Sequence, residues 1–525
     1  MIKWLKTIVI GIGVIFISLI LYFRIVTKDR HPDYEVDLHL SNEEFNPIRV
    51  GFSALKITPE VPDTWNDTNR NARYEPDAGD SFVDGNGNGR FDPVWIAGFQ
   101  NRRPAQGVHD DLWARCMVID DGRSRIALVV LDLIGLGSDE VISIRKGITA
   151  AAGVSYTIVS CTHGHEGPDV IGLWGPGDYS SGVDKDYRKL IIQTSIDAVL
   201  TAVDRLTAAR LVFAQDLNGA EHLVEDSRMP YVMDAGIRLM HAVDLNMDTT
   251  LGVIFNWANH PETLWNKNLL LTSDFPHYVR EGLEQGLYHD DSLVVSGLGG
   301  TAIFVNGAIG GLMTSSPSFG IEDPFSDTLY TTPSFDKARA QGYQLAALGL
   351  RALGDIYQTS SIDRGALSVR ALTFEIPMDN PLFRLGSALR VLDRGYSSWM
   401  KMRTEVTFWR LGPASFLHYP GELYPEILNG GVEAPPGRDY EIDPMEVPPL
   451  RSLISDEFSF SIGLSNDMIG YIIPKSEWDQ EEPFLYGETK SPYGEINSVG
   501  PETGPLIYQK LKEVISDLES QPSPH

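Results

Sequence analysis

The sequence predicts an α/β protein: a mixed sheet with flanking helices, a β-richer C-terminal subdomain and a single N-terminal transmembrane helix. Three observations carry that expectation. RIALVVLDLIGL (125 to 136) is a nearly continuous apolar run, as in a strand buried on both faces, and the acids of the following DEVISIRKGITAA open a helix. Ile192, Ile196, Val199, Val203 and Leu206 recur at steps of four and three, the stripe of an amphipathic helix lying on a sheet. Beyond residue 360 strand patterns dominate, in LSVRALTFEI, KMRTEVTFWRL, ASFLHY and FSFSIGL.

From the N-terminus, an uncharged run from Thr7 to Phe23 is flanked by Lys3 and Lys6 before it and by Arg24, Lys28 and Arg30 after it. It is near the shortest length that spans a bilayer, and no small-residue cleavage site follows. Residues 1–30 therefore read as an uncleaved membrane anchor. The expected location of the body is the extracytoplasmic face, periplasmic or cell surface, although basic residues on both flanks define orientation weakly. Residues 31–47 are polar and acidic without periodicity, as in a tether. Residues 48–525 form the folded body, with a subdomain break expected near 360. Within it, strands are expected at 210–216, 237–244, 250–258, 292–296 and 301–306, helices near 274–286 and 336–356, and an exposed loop over 431–458.

The 525 residues carry a formal charge of -28, which argues against nucleic acid as a partner. The two cysteines, Cys116 and Cys161, lie in apolar strand-like runs and read as buried thiols, or at most one bridge.

DGNGNGRFD brings Asp84, Asn86, Asn88, the Arg90 carbonyl and Asp92 to positions one, three, five, seven and nine of a calcium loop. Oxygen ligands at alternate residues suit a hard cation. Trp95 stands where the bidentate glutamate belongs, so Asp80 or Glu75 would have to complete the shell; the alternative is a turn that binds nothing. YTIVSCTHGHEGPD ends a strand in His163 and His165, and LGVIFNWANHPETLW ends another in His260. Open α/β sheets build sites beyond the carboxyl ends of their strands, so these distant histidines can converge on a metal ion.

THGHEGPD resembles the THTHSGP motif of the neutral, non-lysosomal ceramidases, and further matches follow in the family's order. GVHDDLWARCMVI is similar to their segment before the first core strand, VVLDLIGL to a strand with an internal Asp, SRMPY to NRSPY, and FNWANHPETL to FAIHPxSM. YPGE at 419 to 422 and LSNDMIGYIIP resemble a PGE turn and a strand that supplies a tyrosine. The similarity covers about residues 48 to 525, the family's catalytic region, and nothing here resembles the family's C-terminal immunoglobulin-like domain.

The resemblance implies zinc held by His163, His260, Glu422 and Tyr471, with His165 and Arg228 near the reacting substrate. Read from the residues alone, Glu422 also suits a helix N-terminus, Tyr471 a strand aromatic and Arg228 a surface salt bridge. Asp132 reads as a helix-flanking carboxylate or the orienter of an imidazole. One segment departs from the family: AIGGLMTSS has Gly311 and Met313 where the family has Asp and the serine of NLGDVSPN, with Thr314 and Ser315 out of register. The function expected is zinc-dependent hydrolysis of an N-acyl amide, favourably a lipid, with ceramide itself in question because of Met313. The alternatives are a zinc esterase and a calcium-stabilised binding protein on a degraded hydrolase scaffold.

Overall fold

Two sheets packed face to face form the centre of the molecule. The computed structural model describes residues 2–42, 44–355 and 357–520. The nine-stranded sheet runs in the order Thr301–Asn306, Thr250–Trp257, Ile237–Asp244, Thr207–Asp216, Arg49–Lys56, Trp113–Asp120, Arg125–Leu131 and Tyr156–Cys161, with Thr359–Ile362 added beside Thr207–Asp216. It is mixed, as expected. Thr250–Trp257 with Thr301–Asn306, and Arg125–Leu131 with Tyr156–Cys161, are its parallel pairs. The five-stranded sheet runs Asp37–Ser41, Leu367–Pro377, Lys401–Leu411, Ala414–His418 and Phe458–Ile462, with the last pair parallel.

Side-chain alternation explains the sandwich. Along Leu367–Pro377 the odd residues Leu367, Val369 and Ala371 face the larger sheet, while Leu372, Phe374 and Ile376 face away. Trp409, Phe416 and Phe460 form a stack between the sheets, at ring separations of 3.7 and 4.4 Å. The helices Ser138–Gly147, Lys185–Asp204, Phe275–Glu284 and Phe335–Gly354 cover the outer face of the larger sheet. Thr503–Glu519 covers the smaller one through Ile507, Leu511, Val514 and Leu518. The stripe Ile192, Ile196, Val199, Val203 and Leu206 lies against the sheet as its spacing predicts.

The first helix, Ile2–Val26, includes a span from Trp4 to Val26 with mean hydropathy 2.5, exposed along most of its length and long and apolar enough to cross a membrane. Its 23-residue span is about 34 Å long. The segment expected to be a tether is instead attached to the body. Asp37–Ser41 is the edge strand of the smaller sheet, with Leu38 and Leu40 against the inter-sheet core. Just before it, Asp29 pairs with Arg403 at 2.8 Å. A five-residue edge strand carrying two leucines among polar residues has too short an alternation to stand out in sequence. Cys116 and Cys161 are buried free thiols.

Candidate metal centre

The site is built from strand ends of both sheets. His163 lies just past Tyr156–Cys161, His260 just past Thr250–Trp257, Glu422 beyond Ala414–His418, and Tyr471 beyond Phe458–Ile462. Glu422–Leu423 and Tyr471–Ile472 pair as a short parallel ladder, which sets their side chains in register. The two edges of the larger sheet are drawn together by Asn306, whose Nδ2 donates to the carbonyls of Thr162 and Asn259, both at 2.9 Å. Each carbonyl belongs to the residue preceding a site histidine. His163 itself sits at φ 67°, a left-handed conformation costing about 1–3 kcal/mol outside glycine, held by its N–H donating to the Leu133 carbonyl at 3.0 Å.

Both imidazoles are locked in one tautomer. His163 Nδ1 lies 2.6 Å from the Ile134 carbonyl, and His260 Nδ1 lies 2.7 Å from the Met313 carbonyl. A carbonyl only accepts, so both Nδ1 atoms carry the proton and both Nε2 atoms face inward. Glu422 Oε2 stands 3.6 Å from His163 Nε2 and 3.2 Å from His260 Nε2, and the Tyr471 hydroxyl is 3.3 Å from His260 Nε2. All four residues are buried. A carboxylate oxygen facing an unprotonated imidazole nitrogen at these distances sets lone pair against lone pair, so a proton or a metal cation belongs between them. The donor set of two nitrogens, a carboxylate and a phenol fits a zinc-type ion.

The electrostatics follow from that crowding. Burial pushes His163 down to about 4, against the opposing pull of Glu422. For His260 burial also acts downward, but its hydrogen bond to Glu422 and the charges of Glu262 and Glu422 raise it overall. Burial acts upward on Glu422, and the His163 and His260 charges nonetheless hold it below the usual carboxylate range. Burial and Glu422 together drive the Tyr471 hydroxyl well above its ordinary value, so only a nearby cation would ionise it.

His165 joins the cluster. His163, His165 and His260 offer ring nitrogens within 4.8 Å of one another, and the three could hold a metal ion. Neither ring nitrogen of His165 has a hydrogen-bond partner among the described residues, although Glu262 Oε2 lies 3.4 Å from Nδ1. Gly98, at φ 104°, lies under the ring: a Cβ there would come within 2.6 Å of the His165 Cβ. Behind the ring, the fully buried Arg103 donates to the His165 carbonyl at 2.6 Å and faces Glu166 at 3.4 Å. Sequence reasoning missed Glu262, although it stands two residues after His260 and could have been noticed as a carboxylate beside a strand-end imidazole. The divergent segment supports this same cluster. The Met313 carbonyl orients His260, the Thr314 hydroxyl donates to Glu262, and the Ser315 hydroxyl accepts from Asn259 at 2.7 Å.

Arg228 is engaged by acidic and aromatic partners. Its guanidinium donates to Glu495 at 2.7 Å and to the Glu477 carbonyl at 3.1 Å, and it lies 4.7 Å from the Tyr424 ring centre, which in turn is 6.2 Å from that of Tyr471. Asp132 pairs with Arg280 at 2.7 Å and accepts from the Trp113 N–H at 2.9 Å, so it orients no imidazole.

In the loop of Asp84, Asn86, Asn88, Arg90 and Asp92, the Asp84 carboxylate accepts from the backbone of residues 87, 88 and 89, and Asn86 donates to Asp92 at 3.0 Å. Asp80 is engaged elsewhere, accepting from the backbone of Thr68 and Glu75. The buried Asp63 instead clasps both ends of the loop, accepting from Gly85 at 3.0 Å and from Asp92 at 2.7 Å.

A cavity of about 940 Å³, counting its open mouth, leads outward from His163, His165, Glu422 and Tyr471. Its walls are mainly apolar, with Ile134, Ile171, Phe383, Leu392 and Met468, while Glu140 and Arg188 add a polar flank.

No protein-family model matches the sequence, and no curated protein matches it either. Solved structures do match. The neutral ceramidase of Pseudomonas aeruginosa superposes with a TM-score of 0.62 at 17% identity, over 91% of this chain and 75% of that one. A ceramidase complexed with C2 gives a TM-score of 0.61 at 16% identity, over 91% and 76%. The chain has the neutral ceramidase fold, in agreement with the resemblance of its ordered motifs.

Proposed function

We propose that this chain is a membrane-anchored zinc hydrolase that cleaves an N-acyl amide, of the lipid class its ceramidase-like fold suggests. The observation that supports it most is the opposition of Glu422 Oε2 to two imidazoles whose Nδ1 protons are committed to backbone carbonyls. His163 and His260 would hold the ion through Nε2, with Glu422 and Tyr471 completing the set. When bound, zinc supplies a Lewis acid for an acyl carbonyl and lowers the pKa of water toward neutrality.

The chain's own residues do the remaining work. Glu262, whose charge lies 3.4 Å from Nδ1 of His165, favours the tautomer with the proton on Nδ1, leaving Nε2 to accept a proton and return it to the departing amine. Thr314 fixes Glu262 in turn. Because Met313 serves His260 through its backbone carbonyl, the loss of the family serine leaves the orientation of that imidazole intact. Arg228 acts as a positioning residue, bracing Tyr424 and the ladder that carries Glu422 and Tyr471. The apolar cavity walls favour an acyl chain over a polar amide substituent.

The loop 84–92 is proposed as a structural calcium site. It leads into residues 95–97, which pair with residues 167–169, so an ion there would hold Gly98 against His165.

The test uses the full chain purified in detergent, with metal analysis and hydrolysis of a fluorogenic N-acyl amide. One zinc per chain and activity lost on chelation and regained with zinc are expected, with metal absent from His163→Ala and His260→Ala. Undiminished amidase activity in metal-free protein would refute the reading.

A further inference from the structure

The helix Pro381–Ala388 is turned outside in. Its inner face seats Phe383 in the cavity wall and sets the Ser387 hydroxyl 3.0 Å from that of Tyr396. Its outer face presents Leu382, Leu385 and, at the helix end, Leu389, which are 61%, 47% and 45% exposed. These positions are spaced i, i+3 and i+7, so they form one continuous apolar stripe. Soluble helices place such a stripe against a core, and among the described residues nothing covers this one.

The stripe lies where the membrane helix meets the body. Phe23, near the end of the apolar span, packs edge-on against Tyr396 at 5.6 Å and Trp399 at 5.7 Å, and Arg24 lies 5.2 Å from the Trp399 ring centre. The Tyr396 N–H donates to the Thr27 carbonyl at 2.8 Å, and Arg30 pairs with Asp393. The junction between helix and body is therefore fixed by packing, hydrogen bonding and an ion pair. A bilayer crossed by the span must have its surface near Phe23 and Arg24, level with Trp399, a half-exposed aromatic of the kind that settles at the headgroup boundary.

We propose that Pro381–Ala388 is an interfacial helix whose Leu382, Leu385 and Leu389 face enters the leaflet crossed by the anchor, setting the mouth of the active-site cavity against the lipid. Apolar side chains on one face and the exposed Arg390 beside them suit the boundary between acyl chains and phosphates. Phe383 and Leu392, on the cavity wall, come from this same segment, so a bilayer-resident amide reaches His165 laterally without passing its acyl chain through water. The inference rests on the proposed anchoring by Ile2–Val26 and extends it to the route of the substrate.

The experiment needs no substrate. Cys116 and Cys161 are buried, so a cysteine introduced at Leu385 in the full chain can be selectively nitroxide-labelled, with Lys189→Cys as an exposed control. In phosphatidylcholine vesicles, the ratio of collisions with oxygen to collisions with a water-soluble nickel chelate is expected to be severalfold higher at Leu385→Cys than at Lys189→Cys. Leu389→Cys should follow Leu385→Cys. Protein that floats with the vesicles yet gives equal ratios at all three sites overturns the interfacial helix while leaving the anchor and the hydrolase reading intact. Protein that fails to float overturns the anchor and the interfacial helix together, and leaves the metal reading to its own test.

Discussion

Asn306 closes the larger sheet on itself by donating to Thr162 across the seam between its two edges, at 2.9 Å. The same side chain donates to the Asn259 carbonyl and accepts from the N–H groups of Asn259 and Gly307, all while fully buried. Asn306→Ala would strand several buried polar groups at once, with an expected loss of about 3 kcal/mol in urea unfolding. Metal affinity should fall with it, since both histidine-bearing loops lose their common tie. A variant with unchanged stability would remove Asn306 from that role.

The proposed ligand set predicts graded losses. Glu422→Ala should abolish zinc binding, because it leaves two inward-facing imidazoles without the anion between them. Tyr471→Phe should retain zinc at reduced affinity, since the buried phenol gives up a ligand but no fixed charge. Competition titration against a coloured chelator would separate the two, and equal affinities would contradict the assignment.

His165 and Glu262 should affect turnover but not metal content. His165→Ala is expected to slow amide hydrolysis by about 10²–10⁴-fold with zinc still bound. Glu262→Gln should cost about 10–100-fold by freeing the imidazole from its orienting partner. Loss of zinc from His165→Ala would instead make His165 a ligand.

For the calcium loop, Asp84→Ala should lower the melting temperature more in calcium than in chelator, where only its three backbone hydrogen bonds are lost. Equal shifts in both media would discard the ion, since the variant would then be reporting only the lost backbone hydrogen bonds.

Glu140, on the cavity flank, carries a pH dependence of its own. Burial raises its carboxyl to about 7, partly opposed by Arg188 at 3.4 Å. A carboxyl raised above its unfolded value of about 4.3 holds its proton longer in the folded state, so its contribution to stability is lost as pH rises through about 7. Denaturant midpoints should fall between about pH 4.3 and 7 and level off above that, and Glu140→Gln should flatten that slope.

Much of this architecture was legible in local pattern. Arg125–Leu131 and Lys185–Asp204 announced themselves because a doubly buried strand and a one-sided helix each impose a period on their residues. His163 and His260 were visible as imidazoles ending apolar runs, whereas Glu422 and Tyr471 came only through family resemblance. What stayed hidden depends on contacts between distant segments. Asp37–Ser41 is a strand because Leu367–Pro377 offers it an edge. Glu262 matters because a loop beyond another strand brings His165 to it, and Asp63 rather than Asp80 clasps the loop at 84–92 because its carboxylate is within reach of both ends. No periodicity encodes such meetings.

The four proposed ligands are divided evenly between the halves of the chain, His163 and His260 from the larger sheet, Glu422 and Tyr471 from the smaller. The complete set of four exists only once the two sheets are packed together, so full-affinity ion capture would have to wait until the sandwich has docked. Completion of the site would thus be a late event in maturation, reached only when the final third of the chain had been synthesised and packed.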